Sequence, residues 1–198
     1  MASEEKGMNK AVFLDRDGTI NETIAVPDLG ILESPLVPEQ FKLLPNVPEA
    51  IRIFNRLGLK VIVISNQPAV AKGKLTRSSF EAIREKMIAD LRKENAHIDA
   101  DYYCFHTSLD NCNCRKPKPG LLLQAAKDFN LDLSKSYLVG DSLVDIKAGT
   151  SVHCRTYLIG TLKCDICKLM EKDGFRPDMI VSSLLEAAKM IESDMEKT

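Results

Sequence analysis

The sequence predicts an α/β fold built around a mainly parallel sheet. Short apolar runs alternate with helix-period segments along most of the 198 residues, a pattern typical of this fold class. The runs are apolar at successive positions, as expected of strands that are buried on both faces of a parallel sheet. No internal repeat, low-complexity stretch or Gly/Ser-rich linker divides the chain. We therefore expect a single domain over residues 1–198, with residues 1–9 forming a flexible N-terminus.

Each predicted element follows from this alternation, in chain order. The predicted strands are Ala11–Leu14, Val61–Ile64, Tyr102–Cys104, Tyr137–Val139, Thr156–Ile159 and Met179–Val181. The predicted helices are Val47–Leu57, Ser78–Glu94, Leu121–Asp128 and Ser183–Ser193. The first helix should end at Gly58, because glycine readily adopts the backbone conformation that closes a helix. A Thr or Ser residue is expected to cap the second helix.

Composition and charge restrict the classes of partner. With 27 basic and 28 acidic side chains the formal net charge is -1, so the chain lacks the positive excess that binds nucleic acid or an anionic membrane. We therefore expect a small-molecule substrate, no nucleic acid and no membrane. Residues 1–10 are polar and no run of about 18 apolar residues occurs, so the expected location is cytoplasmic. The six cysteines are then thiols or metal ligands.

Polar side chains follow three of the predicted strands. Asp15 and Asp17 come after the first strand, Ser65-Asn66-Gln67 after the second, and Gly140-Asp141 with Asp145 after a later one. In open α/β sheets the ligand binds outside the carboxyl ends of the strands, so these residues are site candidates. Arg115-Lys116 add two cations in a proline-rich stretch. Carboxylates, a hydroxyl and cations together suit phosphoryl transfer.

The chemistry can be assigned residue by residue. Two carboxylates at i and i+2 on an extended backbone face the same side, so Asp15 and Asp17 can address one substrate. A divalent cation held by Asp15 and Asp141 would relieve their repulsion, and Mg²⁺ suits an oxygen-rich site with few protein ligands. Asp15 could attack phosphorus to give an aspartyl-phosphate, while Asp17 protonates the leaving alkoxide and later deprotonates the hydrolytic water. The Ser65 hydroxyl and the Lys116 ammonium would balance charge on the transferring oxygens.

Four motifs, in order, carry a resemblance to a known superfamily. They are DRDGT (Asp15–Thr19), ISN (Ile64–Asn66), the lysine of RKPKPG (Arg115–Gly120) and GDSLVD (Gly140–Asp145). From about Ala11 to Ile191 the chain resembles the haloacid dehalogenase superfamily of phosphohydrolases. The resemblance implies a Rossmann-like three-layer α/β/α fold, with Asp15 as nucleophile, Asp17 as acid/base, Ser65 and Lys116 on the phosphate, and Asp141 on Mg²⁺. It also implies that the backbone carbonyl of Asp17 is a further metal ligand.

A second cluster of metal-binding residue types lies just before Arg115. Cys104 and His106, followed by Cys112 and Cys114, place four ligands within eleven residues. Zn²⁺ takes such Cys₃His sets in closed structural sites. The one-residue gaps differ from the two- to four-residue gaps of zinc fingers and predict a compact knuckle. One zinc-stabilised loop would order the neighbouring phosphate-binding lysine; the alternative is free thiols beside a surface histidine.

The zinc cluster and the Arg-Lys-Pro that follows it resemble the zinc-containing branch of the superfamily, where the zinc is structural. This branch includes the D-glycero-D-manno-heptose 1,7-bisphosphate 7-phosphatases and the histidinol-phosphate phosphatases. The segment NQPAVAKGKLT (Asn66–Thr76) looks like NQSGIARG-x-[FY]-T of the heptose enzymes, which makes heptose bisphosphate the first expectation. The five-residue gap between His106 and Cys112 looks more like the histidinol-phosphate enzymes. Ser142 also departs from the lysine that some heptose phosphatases carry.

By family analogy, three segments are expected to bind the substrate. They contribute Thr23, Ile24, Ala25 and Val26 from the first, Asn66, Gln67 and Pro68 from the second, and Arg115, which would contact the distal part of the substrate. The stretch Asn21–Gln40 holds three prolines and a glycine, so we expect an irregular loop there. No insertion is large enough for a separate cap domain. This loop and the zinc loop should form the walls of an open site.

Other interpretations remain open at this point. A zinc-knuckle module could bind nucleic acid, but the chain has no basic, aromatic-rich stripe beside the knuckle. An inactive sensor would be expected to have lost a catalytic residue, and none is lost. The pair Cys164 and Cys167 could be a redox pair, half of a metal site or two thiols. We expect a monomer.

Overall fold

The computed structural model describes residues 8–160 and 175–197. Its strands are β1 Ala11–Leu14, β2 Ile24–Val26, β3 Ile31–Glu33, β4 Lys60–Asn66, β5 Ala100–Cys104, β6 Tyr137–Gly140, β7 Arg155–Ile159 and β8 Met179–Val181. Its α-helices over these ranges are α1 Val47–Arg56, α2 Arg77–Lys93, α3 Gly120–Phe129, α4 Leu143–Thr150 and α5 Leu184–Glu196.

Six of the strands form one sheet in the order β5-β4-β1-β6-β7-β8. All of its pairings are parallel, with Val12 of β1 opposite Val61 of β4 and Tyr137 of β6. The strands predicted from the apolar runs are confirmed, and β1 lies near the middle of the sheet. The carboxyl ends of β4, β1 and β6 are therefore neighbours.

Residues of β1 alternate between two hydrophobic cores. Val12 and Leu14 pack in a core that includes residues of α1, α2 and α5. Ala11 and Phe13 pack in a second core with residues of α3 and α4. All four are 0% exposed, as expected of a strand buried on both faces. Helices cover both sides of the sheet, which confirms the three-layer α/β/α architecture.

The helix ends follow the residue types that predicted them. The Thr76 side chain caps α2 by accepting a hydrogen bond of 3.1 Å from the Ser79 backbone N–H. Gly58 follows α1 with a φ of +71°, a conformation that favours glycine over residues with a Cβ atom. The predicted helix boundaries are confirmed to within one residue, except that α5 continues three residues beyond the predicted end at Ser193.

Two elements differ from the expectation. Helix α4 was not predicted, because its sequence is short and includes Gly149, a poor helix former. The structure explains this glycine: a Cβ atom there would lie 2.7 Å from Thr156 Cγ2, so close packing of helix on sheet requires its absence.

The expectation of a wholly irregular Asn21–Gln40 loop is wrong, since β2 and β3 form an antiparallel hairpin closed by Gly30 at φ +62°.

Within the described residues, no helix has the length and apolar character needed to cross a membrane. Cys164 and Cys167 lie outside the described residues, so their pairing stays a hypothesis.

Candidate active site and zinc centre

The carboxyl ends of three neighbouring strands define the candidate site. Strand β1 lies between β4 and β6, so the residues at the ends of these strands meet at one edge of the sheet. Asp15 follows β1, Ser65 is the penultimate residue of β4 and Asp141 follows β6. The fold thus brings to one edge three of the side chains that the sequence placed at strand ends.

Lys116 is a buried cation between two carboxylates. Its side chain is 3% exposed, and its Nζ lies 2.7 Å from Asp15 Oδ1 and 2.6 Å from Asp145 Oδ1. The same Nζ donates a hydrogen bond of 2.8 Å to the Ile64 carbonyl. Burial alone would lower the pKa of Lys116, but the charges of Asp145 and Asp15 outweigh it and the pKa is raised. Lys116 is therefore charged at neutral pH, as a phosphate-binding lysine must be.

Asp15, Asp141 and Asp145 form a carboxylate trio. Their ligand oxygens lie within 4.8 Å of one another. Burial, reinforced by the charges of Asp15 and Asp145, raises the pKa of Asp141 to about 7. One lysine supplies too little positive charge to balance three carboxylates at this spacing. All the donor atoms of the trio are oxygens, which are the ligands that Mg²⁺ prefers. The trio therefore fits a magnesium ion, with Asp145 already engaged by Lys116.

Asp17 lies in a separate network and is not part of that trio. Its Oδ1 accepts hydrogen bonds from Arg16 Nη2 (2.9 Å) and Asn21 Nδ2 (3.0 Å). Its Oδ2 accepts from Ser34 Oγ (2.8 Å) and Gln67 Nε2 (2.7 Å). Burial raises the pKa of Asp17, but the Arg16 charge and the hydrogen bonds outweigh it, so the pKa is lowered. Asp17 is ionised in this arrangement.

The segment after Ser65 connects the two networks. Asn66 exchanges two hydrogen bonds of 3.0 Å with the Lys116 backbone, donating through Nδ2 and accepting through Oδ1. Gln67 is fully buried, and its Nε2 donates to Ser65 Oγ (3.0 Å) as well as to Asp17. Both amides bond to protein groups and so help to fix the positions of Lys116, Ser65 and Asp17.

The four predicted zinc ligands converge. The Sγ of Cys114 lies 3.2 Å from Cys104 Sγ, 3.4 Å from Cys112 Sγ and 3.2 Å from His106 Nδ1, and Cys104 Sγ lies 3.7 Å from Cys112 Sγ. All four ligand atoms are within 4.8 Å of one another. Tetrahedral zinc with Zn–S bonds of about 2.3 Å holds its sulfurs about 3.8 Å apart. The donor set and its spacing therefore fit Zn²⁺.

Comparison with known proteins identifies the family. Residues 113–187 match the family model described as HAD-hydrolase-like. A D-glycero-beta-D-manno-heptose-1,7-bisphosphate 7-phosphatase from Haemophilus influenzae is 37% identical over 148 residues, which cover 72% of this chain and 76% of the relative. This chain belongs to the haloacid dehalogenase-like phosphatases. A phosphatase of the same name from Pasteurella multocida is 32% identical over 192 residues, covering 93% of this chain and 98% of the relative.

A solved structure shares the fold of this phosphatase. It is the D,D-heptose 1,7-bisphosphate phosphatase from B. bronchiseptica, complexed with magnesium and phosphate. The two chains align with a TM-score of 0.79 and 28% identity, over 93% of this phosphatase and 99% of the other chain. The parallel sheet and its helices thus match those of a solved phosphatase whose structure contains magnesium and phosphate.

The remaining predicted substrate contacts of this phosphatase surround the two networks. Arg115 lines a cavity of about 200 Å³ beside the zinc loop, and its Nη1 donates a hydrogen bond of 3.1 Å to the His106 carbonyl. Thr23 precedes strand β2, which holds the predicted residues Ile24 to Val26.

A cavity next to Ser34, a hydrogen-bond partner of Asp17, is lined by the other strand of the hairpin. It has a volume of about 320 Å³ and lies between residues 31–36 and the segment of Pro68, Ala69, Lys72 and Lys74. Lys74 also forms an ion pair with Glu33, which ties this segment to β3. Pro68, a predicted substrate contact, thus faces the same cavity as Ser34.

Sequence reasoning did not assign Arg16, Asn21 or Ser34 to the site, and it named Asp145 as a candidate without giving it a role. Asp145 belongs to the GDSLVD motif, and the presence of a second carboxylate there could have suggested a partner for Lys116. Arg16 lies between the two catalytic aspartates and is fully buried, yet adjacency alone does not reveal a salt bridge. Ser34 carries no sequence signal, because its contact with Asp17 depends on the hairpin fold.

Proposed function

We propose that this chain is a Mg²⁺-dependent phosphomonoesterase that removes the 7-phosphate of D-glycero-D-manno-heptose 1,7-bisphosphate through an aspartyl-phosphate. The observation that carries the proposal is the buried contact of 2.7 Å between Lys116 Nζ and Asp15 Oδ1. It places a permanent cation beside a carboxylate at the tip of a central strand, where a phosphate would meet both. Curated relatives of this name at 32% and 37% identity support the substrate.

The proposed reaction proceeds in two steps. Asp15 attacks phosphorus, forming an O–P bond as the ester P–O bond breaks, and the leaving oxygen takes a proton from Asp17. Asp17 must first bind that proton from solvent, because its contacts in the free protein favour the carboxylate. A water then attacks the phosphorus of the aspartyl-phosphate, gives its proton to Asp17 and releases phosphate and free Asp15. Lys116 and the Ser65 hydroxyl stabilise negative charge on the transferring oxygens in both steps.

Two metal ions belong to the proposal. Asp15, Asp141 and the backbone carbonyl of Asp17 would hold Mg²⁺, which supplies charge neutralisation on the phosphoryl group when bound. Cys104, His106, Cys112 and Cys114 would hold a structural Zn²⁺ that fixes the loop ahead of Lys116. Thiolate ligands persist in a reducing compartment, which supports a cytoplasmic location. We further propose that the chain forms a single domain and acts as a monomer.

The distal part of the substrate is assigned to the groups around the open site. Arg115 beside the zinc loop and the hairpin residues Thr23 to Val26 are the proposed contacts. The five-residue gap between His106 and Cys112 favours histidinol phosphate as a second candidate substrate. The names of these relatives specify the beta anomer of the heptose, so we propose that anomer first.

A substrate panel tests the proposal. Phosphate release with Mg²⁺ is measured for both anomers of heptose 1,7-bisphosphate, histidinol phosphate and common sugar phosphates, and the substrates are ranked by kcat/KM. We expect the beta anomer to rank first, and Asp15→Asn to lose at least about 10³-fold in kcat because the nucleophile is removed. A first rank for histidinol phosphate would replace the substrate assignment. Full activity of Asp15→Asn would contradict the aspartyl-phosphate mechanism.

A further inference from the structure

The cavity of about 320 Å³ beside the hairpin borders the candidate active site. Ser34 lines this cavity, and its Oγ donates a hydrogen bond of 2.8 Å to Asp17 Oδ2. Pro68 lines it from the other segment and directly follows Gln67, whose Nε2 lies 2.7 Å from the same oxygen. Both walls are therefore joined to the Asp17 network. The volume is within the range of sites that bind small molecules.

The charged side chains of this cavity leave one positive charge unbalanced. Its walls combine apolar residues (Ile31, Leu32, Leu36, Pro68, Ala69) with Ser34 and three charged residues (Glu33, Lys72, Lys74). Lys74 Nζ forms an ion pair with Glu33 Oε1, so these two charges neutralise each other. Lys72 is exposed and has no carboxylate partner among residues 8–160 and 175–197. Its ammonium group is thus available to a ligand.

Lys72 lies on a turn whose backbone is held by its own hydrogen bonds. The Lys72 backbone N–H donates to the Pro68 carbonyl (3.0 Å), and the Lys74 backbone N–H donates to the Ala69 carbonyl (2.9 Å). The ion pair of Lys74 with Glu33 also ties the turn to strand β3. A ligand that binds Lys72 therefore has little backbone to order, which lowers the entropic cost of binding.

An unbalanced ammonium group beside apolar walls suits an anion on a carbon skeleton. Hydrogen bonds between an ammonium group and a phosphate are charge-assisted and stronger than those between neutral groups. A substrate with one phosphate beside Asp15 and Lys116 must be elongated to carry a second anion into this cavity. A sugar with a phosphate at each end has that shape, and its carbon atoms would pack on the apolar wall.

Building on the proposed phosphatase function, we propose that this cavity is a second anion subsite, in which Lys72 binds the 1-phosphate of the substrate. Lys72 thereby selects sugars with two phosphates over sugars with one. No bond is made or broken at the 1-phosphate, so Lys72 acts in binding only. Glu33 limits the positive charge of the subsite, because it neutralises Lys74. Lys72 is a contact additional to Arg115 on the zinc loop.

The test compares kcat/KM for heptose 1,7-bisphosphate with kcat/KM for heptose 7-phosphate, with Mg²⁺. Both substrates carry the same scissile phosphate, so the ratio of the two values isolates the effect of the 1-phosphate. For Lys72→Met we expect the ratio to fall about tenfold or more, since one charge-assisted hydrogen bond is lost. The value for heptose 7-phosphate should stay within about twofold of wild type, because that substrate does not reach Lys72. Lys72→Arg keeps the charge and should keep the ratio within about threefold.

Glu33→Gln changes the charge of the cavity in the opposite direction. It removes the carboxylate that neutralises Lys74 and so adds a second unbalanced cation. We expect the ratio to rise about threefold or more. Any loosening of the hairpin would slow both substrates alike, so the ratio separates the charge effect from a structural one. A fall of the ratio in this variant would contradict the proposal.

Lys135→Met is the matched control. Lys135 is an exposed lysine just before β6, at the opposite edge of the sheet, where it pairs with Asp132. The substitution changes the net charge of the protein as Lys72→Met does, and it should leave the ratio unchanged. An equal fall in both variants would show a general charge effect and overturn the subsite.

Three further outcomes would also overturn an assignment. A wild-type ratio near one, or an unchanged ratio in Lys72→Met, would show that Lys72 does not bind the 1-phosphate. A fall of the ratio in Arg115→Met but not in Lys72→Met would assign the 1-phosphate to the zinc-loop side instead. Absence of phosphate release from both substrates by the wild-type protein would contradict the proposed function itself, and the subsite with it.

Discussion

Among single residues, Gly18 has the tightest geometric requirement near the candidate site. Its φ is +84°, and a Cβ atom at this position would lie 2.0 Å from Asp141 Oδ2. The missing side chain is what lets the Asp141 carboxylate approach the loop after β1. Gly18 therefore contributes to the proposed magnesium site without any functional group of its own.

We predict that Gly18→Ala lowers kcat/KM by at least about 100-fold, because the new methyl group displaces Asp141 and misplacement of a catalytic group by about 1 Å can cost that much. Gly58→Ala is the matched control. Gly58 has a similar φ of +71° but open space around it, so it carries the backbone strain without the clash. Kinetics with Mg²⁺ and urea unfolding of both variants check the prediction. Similar activity in the two variants would contradict it.

At the residue scale, the sequence predicted which groups would come together but not where every side chain points. Asp15, Lys116 and Asp141 could be found because parallel strands bring their ends to one edge. Asn66 was predicted to contact substrate, and the structure shows its amide bonded to the Lys116 backbone. Nothing in a sequence shows the direction of an amide that follows a strand.

At the scale of elements, the zinc loop is packed against the start of α2. Phe105 lies between two predicted zinc ligands in the sequence, and its ring meets that of Phe80 edge-to-face with centroids 4.9 Å apart. The Arg77 guanidinium lies 3.7 Å above the centroid of Phe105, a cation–π contact. One end of the loop is thus anchored to a helix by aromatic packing, and the metal would fix the remainder.

We predict that the purified protein holds about one zinc per chain and that Cys112→Ser loses it, because a closed site needs all four ligands. Displacement of the loop ahead of Lys116 should then lower kcat/KM by about tenfold or more. Elemental analysis and kinetics measure the two effects. Cys154→Ala removes a buried thiol outside the cluster and should keep its zinc. Equal zinc content in all three proteins would contradict the assignment.

The elements that the sequence predicted are those whose local pattern agrees with their burial. Strand β4 contains the uninterrupted apolar run Val61–Ile64, which is fully buried, and α2 carries both a cap and a periodic apolar face. The hairpin was missed because β3 exposes Ile31 and Leu32 and is flanked by glycine and proline. A two-stranded sheet of this kind depends on pairing between its strands, which composition does not reveal.

At the scale of the whole molecule, the exposed apolar side chains among the described residues are few. Leu109 and Leu123 lie on separate elements, whereas Ile31 and Leu32 lie together on the hairpin. Scattered exposed hydrophobic residues are normal, and stable interfaces need larger contiguous patches.

We predict that sedimentation velocity gives the mass of a single chain at all concentrations between about 1 and 100 μM, a range in which weak association would appear as a shift in mass. A concentration-dependent dimer would contradict the prediction. Restoration of the monomer by Leu32→Glu would then identify the hairpin as the interface.

All six strands of the main sheet run in the same direction, so their carboxyl ends lie at one edge of the sheet and their amino ends at the opposite edge. The connections at these two edges tolerate changes in sequence to different degrees. At one end, the connections after β1 and β6 carry charged groups that lie within 4.8 Å of one another. At the other end, connections such as residues 94–99 and 151–154 only return the chain to the sheet. Tags, insertions and reversals of charge should therefore be tolerated at the second end and rejected at the first. A surface or a fusion partner would best be attached at the second end, because the mouth of the site at the first end then stays open to solvent.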